Sequence, residues 1–192
     1  MSLPRARQQA DQFFTQKGLE IRIKGERYDL PSTKTLGGCI DISIYRGEEG
    51  SYIADNYAVD APAIWELYRE IDPDHYFSGM VAVSYSLPRI VGQDCATQYR
   101  FDSYSEASTQ QAINQIWGRF EAYGKPWIES CDGYEELYQR SRVKQNPLRF
   151  CVEPILLHLM GRDGEIASLL DSKWYAEDSK YRKVFNWFRI EL

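Results

Sequence analysis

The sequence predicts an α+β fold, in which an antiparallel sheet in the N-terminal half is packed by helices and followed by a helical C-terminal extension. Segments that alternate apolar with polar residues, as half-buried strands do, are concentrated in the first 103 residues. Segments whose apolar residues recur at helical spacing dominate afterwards. Of the 192 residues, 43% are hydrophobic and 14% aromatic, so the chain can bury a core without metals or disulfides.

The N-terminal elements are predicted to be one helix and three strands. The helix should end at Gly18, since glycine commonly follows a last helical turn. Residues 19–24 and 38–46 alternate apolar with polar side chains, which predicts two half-buried strands. The turn at 47–50 has hairpin length, so residues 51–59 should return as a third strand.

The middle of the chain is predicted to hold a short helix and two further strands. Apolar residues at helical spacing begin after Pro62 and stop before Pro73, because proline breaks a helix interior. Residues 76–87, which are rich in aromatic residues and valine, and residues 96–103 are predicted to be strands.

Helices are predicted for the rest of the chain. Ser103 and Glu106 have the spacing of a capping box for a long helix, which Gly124 should end. Later helix starts are predicted at Asp132 with Glu135, at Asn146-Pro147 and at Asp163. The last helix should bury a stripe formed by Tyr181, Val184, Phe185 and Phe188. We therefore expect an α+β domain, residues 1–145, with a helical extension, residues 146–192, packed on it as one structural unit.

Three pieces of this pattern carry a family resemblance. They are residues 13–19 at the end of the first helix, the strand segment Ile40–Tyr45, and Tyr123–Glu129 after the long helix. Together they resemble an uncharacterised bacterial family called domain of unknown function 4304, over about residues 6–140. The resemblance implies a bacterial protein and supports the fold, and it implies no activity.

The charge of the chain is acidic and unevenly distributed. The formal net charge is −5, which disfavours a nucleic-acid-binding surface. Residues 48–74 hold eight acidic residues and one basic residue, so this segment alone carries −7. It is either a solvated face or a docking surface for a basic protein partner. The candidate binding residues are Glu48, Glu49, Asp55, Glu66 and Glu70.

The cysteine and histidine pattern indicates neither a zinc site nor a cofactor. The four cysteines form no CxxC pair, and the chain has only two histidines. The sequence shows no apolar secretory segment and no run of 18 apolar residues. We therefore expect a cytoplasmic protein with reduced thiols and no stable membrane association, in which Cys39 and Cys151 are buried.

The common catalytic motifs HExxH, GxSxG and GxGxxG are missing from the sequence. The one cluster with possible acid–base or metal chemistry is Asp72, Asp74 and His75, although a structural helix exit and turn is the more common reason for such a sequence. His158 lies in an apolar run and is expected to be a core histidine or a helix C-terminal cation.

The C-terminal stretch interleaves cations with aromatic residues, a pattern that can mark membrane or nucleic-acid contacts. Helical spacing offers a simpler explanation, with the aromatic residues buried and the cations exposed. The contact hypothesis requires Trp187 and Lys183 to be exposed. We expect core or dimer packing instead.

These observations favour a non-enzymatic protein-interaction domain, of the inhibitor or immunity-protein kind, that binds a protein partner or a second copy through its acidic residues. The alternative is a small-ligand or metal-binding enzyme with a pocket near Asp72, Asp74 and His75.

Overall fold

The computed structural model describes residues 3–31, 35–76, 80–92, 95–142, 148–171 and 181–191. Its contacts divide the chain into two compact units. The sheet unit comprises Met1–Val59 and Ser84–Cys131, and the helical unit comprises Asp60–Val83 and Asp132–Leu192. This division differs from the expected boundary at residue 145, because helix α2 (Pro62–Ile71) packs its buried face against the C-terminal helix α7 (Arg149–Leu159).

The predicted α+β class is confirmed, since an antiparallel sheet of six strands lies in the N-terminal half and helices follow it. The strands pair in the order β1-β2-β3-β4-β5, and β6 also pairs with β4. Their bounds are Glu20–Ile23 (β1), Arg27–Asp29 (β2), Gly37–Gly47 (β3), Gly50–Asp60 (β4), Val83–Ser86 (β5) and Gln98–Phe101 (β6).

Alternation in β3 sets the buried face of the sheet. Ile40, Ile42 and Ile44 are all buried, as their spacing of two predicts. The alternation predicted for β1 is only partly realised, because Ile21 is exposed in that short strand. Strand β2 was not predicted, since its three residues offer one apolar side chain, Tyr28.

Helices of the sheet unit pack on this sheet. They are α1 (Leu3–Gln16), α3 (Leu87–Val91), α4 (Glu106–Arg119), a π-helical turn (Phe120–Gly124) and α5 (Lys125–Glu129). Helix α1 contacts β3 and α4, and the Phe14 ring stacks on Tyr28 at 4.4 Å between centroids. The chain leaves α1 through Gly18, whose φ of 85° suits a glycine, as predicted.

Two predicted helix boundaries in the sheet unit are wrong. Ser105 rather than Ser103 caps α4, because its side chain accepts the Ser108 N–H. Gly124 does not end the helix, since it has helical dihedral angles and the chain continues into α5. A Cβ at Gly124 would lie 2.6 Å from the Tyr57 ring, so close packing explains this glycine.

In the part of the chain that the structure describes, the helical unit contains α2, α7 and three further helices: α6 (Tyr134–Ser141), α8 (Asp163–Leu170) and α9 (Arg182–Glu191). Helix α7 contacts α2, α6 and α8, and α9 contacts α2 and α8. The predicted apolar stripe of the last helix is confirmed, since all four of its side chains are buried.

The cap predicted at Asp132 is wrong, because Gly133 occupies the N-cap of α6 without a side-chain hydrogen bond. Asp163 likewise is the first helical residue of α8 rather than its cap, because Arg162 holds that position. The predicted helix start at Asn146-Pro147 lies outside the described residues. No helix in the described part of the chain is long and apolar enough to cross a membrane.

Candidate functional site

The acidic residues of the 48–74 segment fall into two groups. Asp55, Asp60 and Asp72 are buried. The remaining five are exposed, and these are Glu48, Glu49, Glu66, Glu70 and Asp74. The charge counted from the sequence therefore overstates the negative charge that a partner can reach.

Asp55 is part of the interior of the sheet unit and does not belong to an acidic surface. Its side chain is 0% exposed and accepts hydrogen bonds from the Tyr57 hydroxyl and the Arg119 guanidinium. Arg119 also donates to the Ala96 carbonyl and lies 4.5 Å from the Tyr99 ring centroid. The expectation that Asp55 helps bind a partner is therefore corrected, because an internal cation neutralises it.

Burial changes the acid–base properties of this network. It raises the pKa of Tyr57 above the ordinary range and lowers the pKa of Arg119. The position of Asp55 was readable in the sequence, because Ile53 and Tyr57 flank it at a spacing of two on the buried face of β4.

Asp60 also has a structural role, in this case at the start of α2. It accepts hydrogen bonds from the Ala61 N–H and the Trp65 indole N–H. This carboxylate orients the first turn of α2, whose buried face is formed by Ile64, Trp65 and Tyr68.

Glu66 and Glu70 lie on the exposed side of α2, one turn apart. Among the described residues, neither carboxylate forms an ion pair. Arg69, which lies between them in sequence, is 5.8 Å from the Tyr76 ring centroid. Helix α2 thus presents to solvent two carboxylates that no cation of the described residues pairs with.

Glu48 and Glu49 lie at the tip of the β3–β4 hairpin and line an open groove of about 650 Å³ in the sheet unit. Glu49 lies 3.8 Å from the guanidinium of Arg100, and both side chains are well exposed. The four exposed glutamates among the predicted binding residues therefore belong to different units, two to each.

The structure brings Asp72, Asp74 and His75 together, as the alternative hypothesis requires, but it places Lys183 among them. The buried Asp72 carboxylate accepts hydrogen bonds from His75 Nδ1 at 2.8 Å and from Lys183 Nζ at 2.9 Å. Lys183 Nζ also donates to Asp74 at 2.8 Å. The cluster joins the C-terminal end of α2 to α9, across 111 residues of sequence.

The charges of this cluster stabilise each other. Burial on its own raises the pKa of Asp72, but hydrogen bonds from Lys183 and His75 outweigh it, so the pKa is lowered overall. The hydrogen bonds that Lys183 donates, first to Asp72 and then to Asp74, raise the pKa of Lys183. Both groups are therefore charged at neutral pH.

The cluster is poorly arranged for catalysis or metal binding. Within the described residues, no group of three or more His, Cys, Asp or Glu side chains is disposed to hold a metal ion. An ammonium group already bridges the two carboxylates, and the groove beside Glu48 does not extend to these residues. The arrangement is that of an ion-pair network that fastens α9 to α2.

His158 is a partly exposed residue near the end of its helix and is not a core histidine, since its side chain is 35% exposed. It lies in the last turn of α7, and its Nδ1 pairs with Asp163 at 2.8 Å. Its ring contacts Trp187 and Phe188 edge-on, at centroid distances of 5.8 and 5.7 Å. Of the two residues that the contact hypothesis requires to be exposed, Lys183 is exposed but ion-paired, and Trp187 is only partly exposed. Lys173, Trp174, Tyr175 and Lys180 lie outside the described residues.

Three of the four cysteines lie in the interior of the protein. Cys39 and Cys151 are buried, as predicted, and Cys131 is buried too. Burial raises the pKa of the Cys39 thiol, which disfavours the reactive thiolate. None of the four cysteines forms a disulfide.

No family model, no curated protein and no solved structure matches this chain. The resemblance to domain of unknown function 4304 therefore stays a prediction.

Proposed function

We propose that this chain is a non-enzymatic protein-interaction domain, of the inhibitor or immunity-protein kind, and that the exposed face of α2 is its docking element. The observation that carries the proposal is the pair Glu66 and Glu70, exposed one turn apart and without an ion-pair partner among the described residues. The other candidate acids are buried, as Asp55 is, or lie in a different unit, as Glu48 and Glu49 do.

The pair also has an energetic cost that a basic partner would remove. Like charges four residues apart on a helix destabilise it by roughly 0.2–0.5 kcal/mol. A Lys or Arg side chain of a partner placed between the two carboxylates would turn this repulsion into attraction. Such exposed charges act mainly on the rate of association and on specificity.

One further point favours a cytoplasmic location, and a second weighs against the enzyme alternative. The absence of disulfides among four cysteines suits a reducing compartment. The alternative enzyme site offers no comparable support, because the carboxylates of Asp72 and Asp74 are already bonded to Lys183.

The test is capture of partners by the full chain, tagged and produced at natural abundance in its own host, with cross-linking and mass spectrometry. The double variant Glu66→Lys with Glu70→Lys should slow association with the captured protein by about tenfold or more at low salt. The difference should shrink as salt screens the charges.

The matched control is Glu20→Lys with Glu129→Lys, which changes net charge equally at exposed positions of the sheet unit. If association slowed equally in both double variants, net charge alone would explain the slowing, and docking through α2 would be refuted. A second copy of the chain as the captured protein would identify a homodimer, with the same pair tested at its interface.

A further inference from the structure

The open groove beside the β3–β4 hairpin, which charged and aromatic residues line, is not used by the proposed function. Its volume of about 650 Å³ lies within the range of small-molecule sites. Its lining comes from two parts of the sheet unit, Arg46–Ser51 at the hairpin, and Arg100–Tyr104 with Ser108 at the junction of β6 with α4. Every lining residue belongs to one compact unit, so the groove is complete within it.

Three serines and a hydrogen-bonded turn contribute to the lining of this groove. Ser51 and Ser103 are only 4% and 3% exposed. The Ser108 hydroxyl accepts the Asp102 N–H at 3.0 Å, and the Asp102 carboxylate accepts the Tyr104 N–H at 2.9 Å. These two bonds hold the segment between β6 and α4 in a defined conformation before any ligand binds.

Cationic donors and anionic acceptors both line the groove. Arg46 and Arg100 supply guanidinium donors, and Glu48, Glu49 and Asp102 supply carboxylate acceptors. The turn makes room for one of these donors, because a Cβ at Gly50 would meet Arg100 Nε at 3.1 Å. With two cations and three anions, the lining has nearly balanced charge.

This balance selects the class of ligand. An anion would meet three carboxylates, a cation would meet two guanidinium groups, and an apolar molecule would displace water from these charged groups without replacing its hydrogen bonds. An uncharged ligand rich in hydroxyl groups suits all of them, because each hydroxyl can donate to a carboxylate and accept from a guanidinium.

Tyr104 adds an aromatic surface at the edge of the groove. Tyr104 is 72% exposed, so its ring as well as its hydroxyl is open to solvent. Its ring can cover the apolar C–H face of a sugar ring while the groove bonds the hydroxyls. We propose that this groove of the sheet unit binds a short, uncharged saccharide.

The experiment is a broad glycan array probed with the full chain, followed by NMR titration of the saccharides it retains. Inorganic phosphate and glycylglycine serve as charged comparison probes. Saccharide binding should shift the backbone amide signals of residues 46–51 and 100–108. Tyr104→Ala should weaken that binding by about tenfold. Tyr123→Ala, which removes another exposed tyrosine outside the groove, should leave it unchanged.

Retention of no uncharged glycan would overturn the proposal. Equal effects of the two tyrosine variants, or groove shifts with phosphate or dipeptide alone, would overturn it as well. These outcomes are separate from those of the α2 experiment, since Glu66→Lys with Glu70→Lys alters the other unit and should not change saccharide binding.

Discussion

The buried pair of Asp55 and Arg119 makes the sharpest stability prediction. Among the described residues, Asp55 is the only carboxylate paired with the Arg119 guanidinium, whose side chain is 11% exposed, and Asp55→Ala removes it. Breaking a buried ion pair from one side costs about 3–5 kcal/mol, because the remaining charge stays away from water. The Tyr57 hydroxyl also loses its acceptor. A loss of about 3–5 kcal/mol is therefore expected in the free energy of unfolding.

The assay is urea unfolding followed by far-UV circular dichroism and tryptophan fluorescence, so that both probes test whether the transition is two-state. Asp55→Leu combined with Arg119→Met should recover most of the loss, because it leaves no charge behind. Glu49→Ala is the matched control, since its pair with Arg100 is long and exposed. If Asp55→Ala cost no more than Glu49→Ala, the buried-pair reasoning would be refuted.

Two further predictions concern a linkage and a glycine. The lowered pKa of Asp72 means that its pairing with Lys183 stabilises the fold at neutral pH, and that this stabilisation is lost as the carboxylate protonates. The loss of unfolding free energy caused by Lys183→Met should therefore be largest near pH 7 and shrink below about pH 4. A loss that does not change with pH would contradict this. Gly124→Ala should destabilise the protein by about 1–3 kcal/mol in urea unfolding, because the added Cβ would overlap the Tyr57 ring. Gly118→Ala is the control: a Cβ there has nothing within 4 Å, so this variant should stabilise α4 by about 0.5–1 kcal/mol. The reverse order of stabilities would show that contact with Tyr57 does not require glycine at position 124.

Local patterns were sufficient to predict the fold class and most elements. The isoleucines of β3 and the apolar stripe of α9 report directly on a buried face, and both are confirmed. The exceptions have physical reasons. Three residues of β2 are too few for a period, and Gly124 is glycine because of a ring that packs on it rather than because a helix ends there.

The candidate site was predictable only in part, because charge counts contain no information about distant partners. Arg119 lies 64 residues from Asp55, and Lys183 lies 111 residues from Asp72. Both cations change what their carboxylates can do, and only the folded chain brings them together. Glu66 and Glu70 differ, because helical spacing alone places them on the side of α2 opposite its buried residues.

The most direct test of the proposed function is native mass spectrometry of the chain purified gently from its own host. We predict an additional protein mass on the wild-type chain that is lost in Glu66→Lys with Glu70→Lys and retained in Glu20→Lys with Glu129→Lys. A partner mass that survives the α2 double variant would contradict docking through Glu66 and Glu70. A wild-type chain that carries no protein partner would contradict the proposed interaction itself.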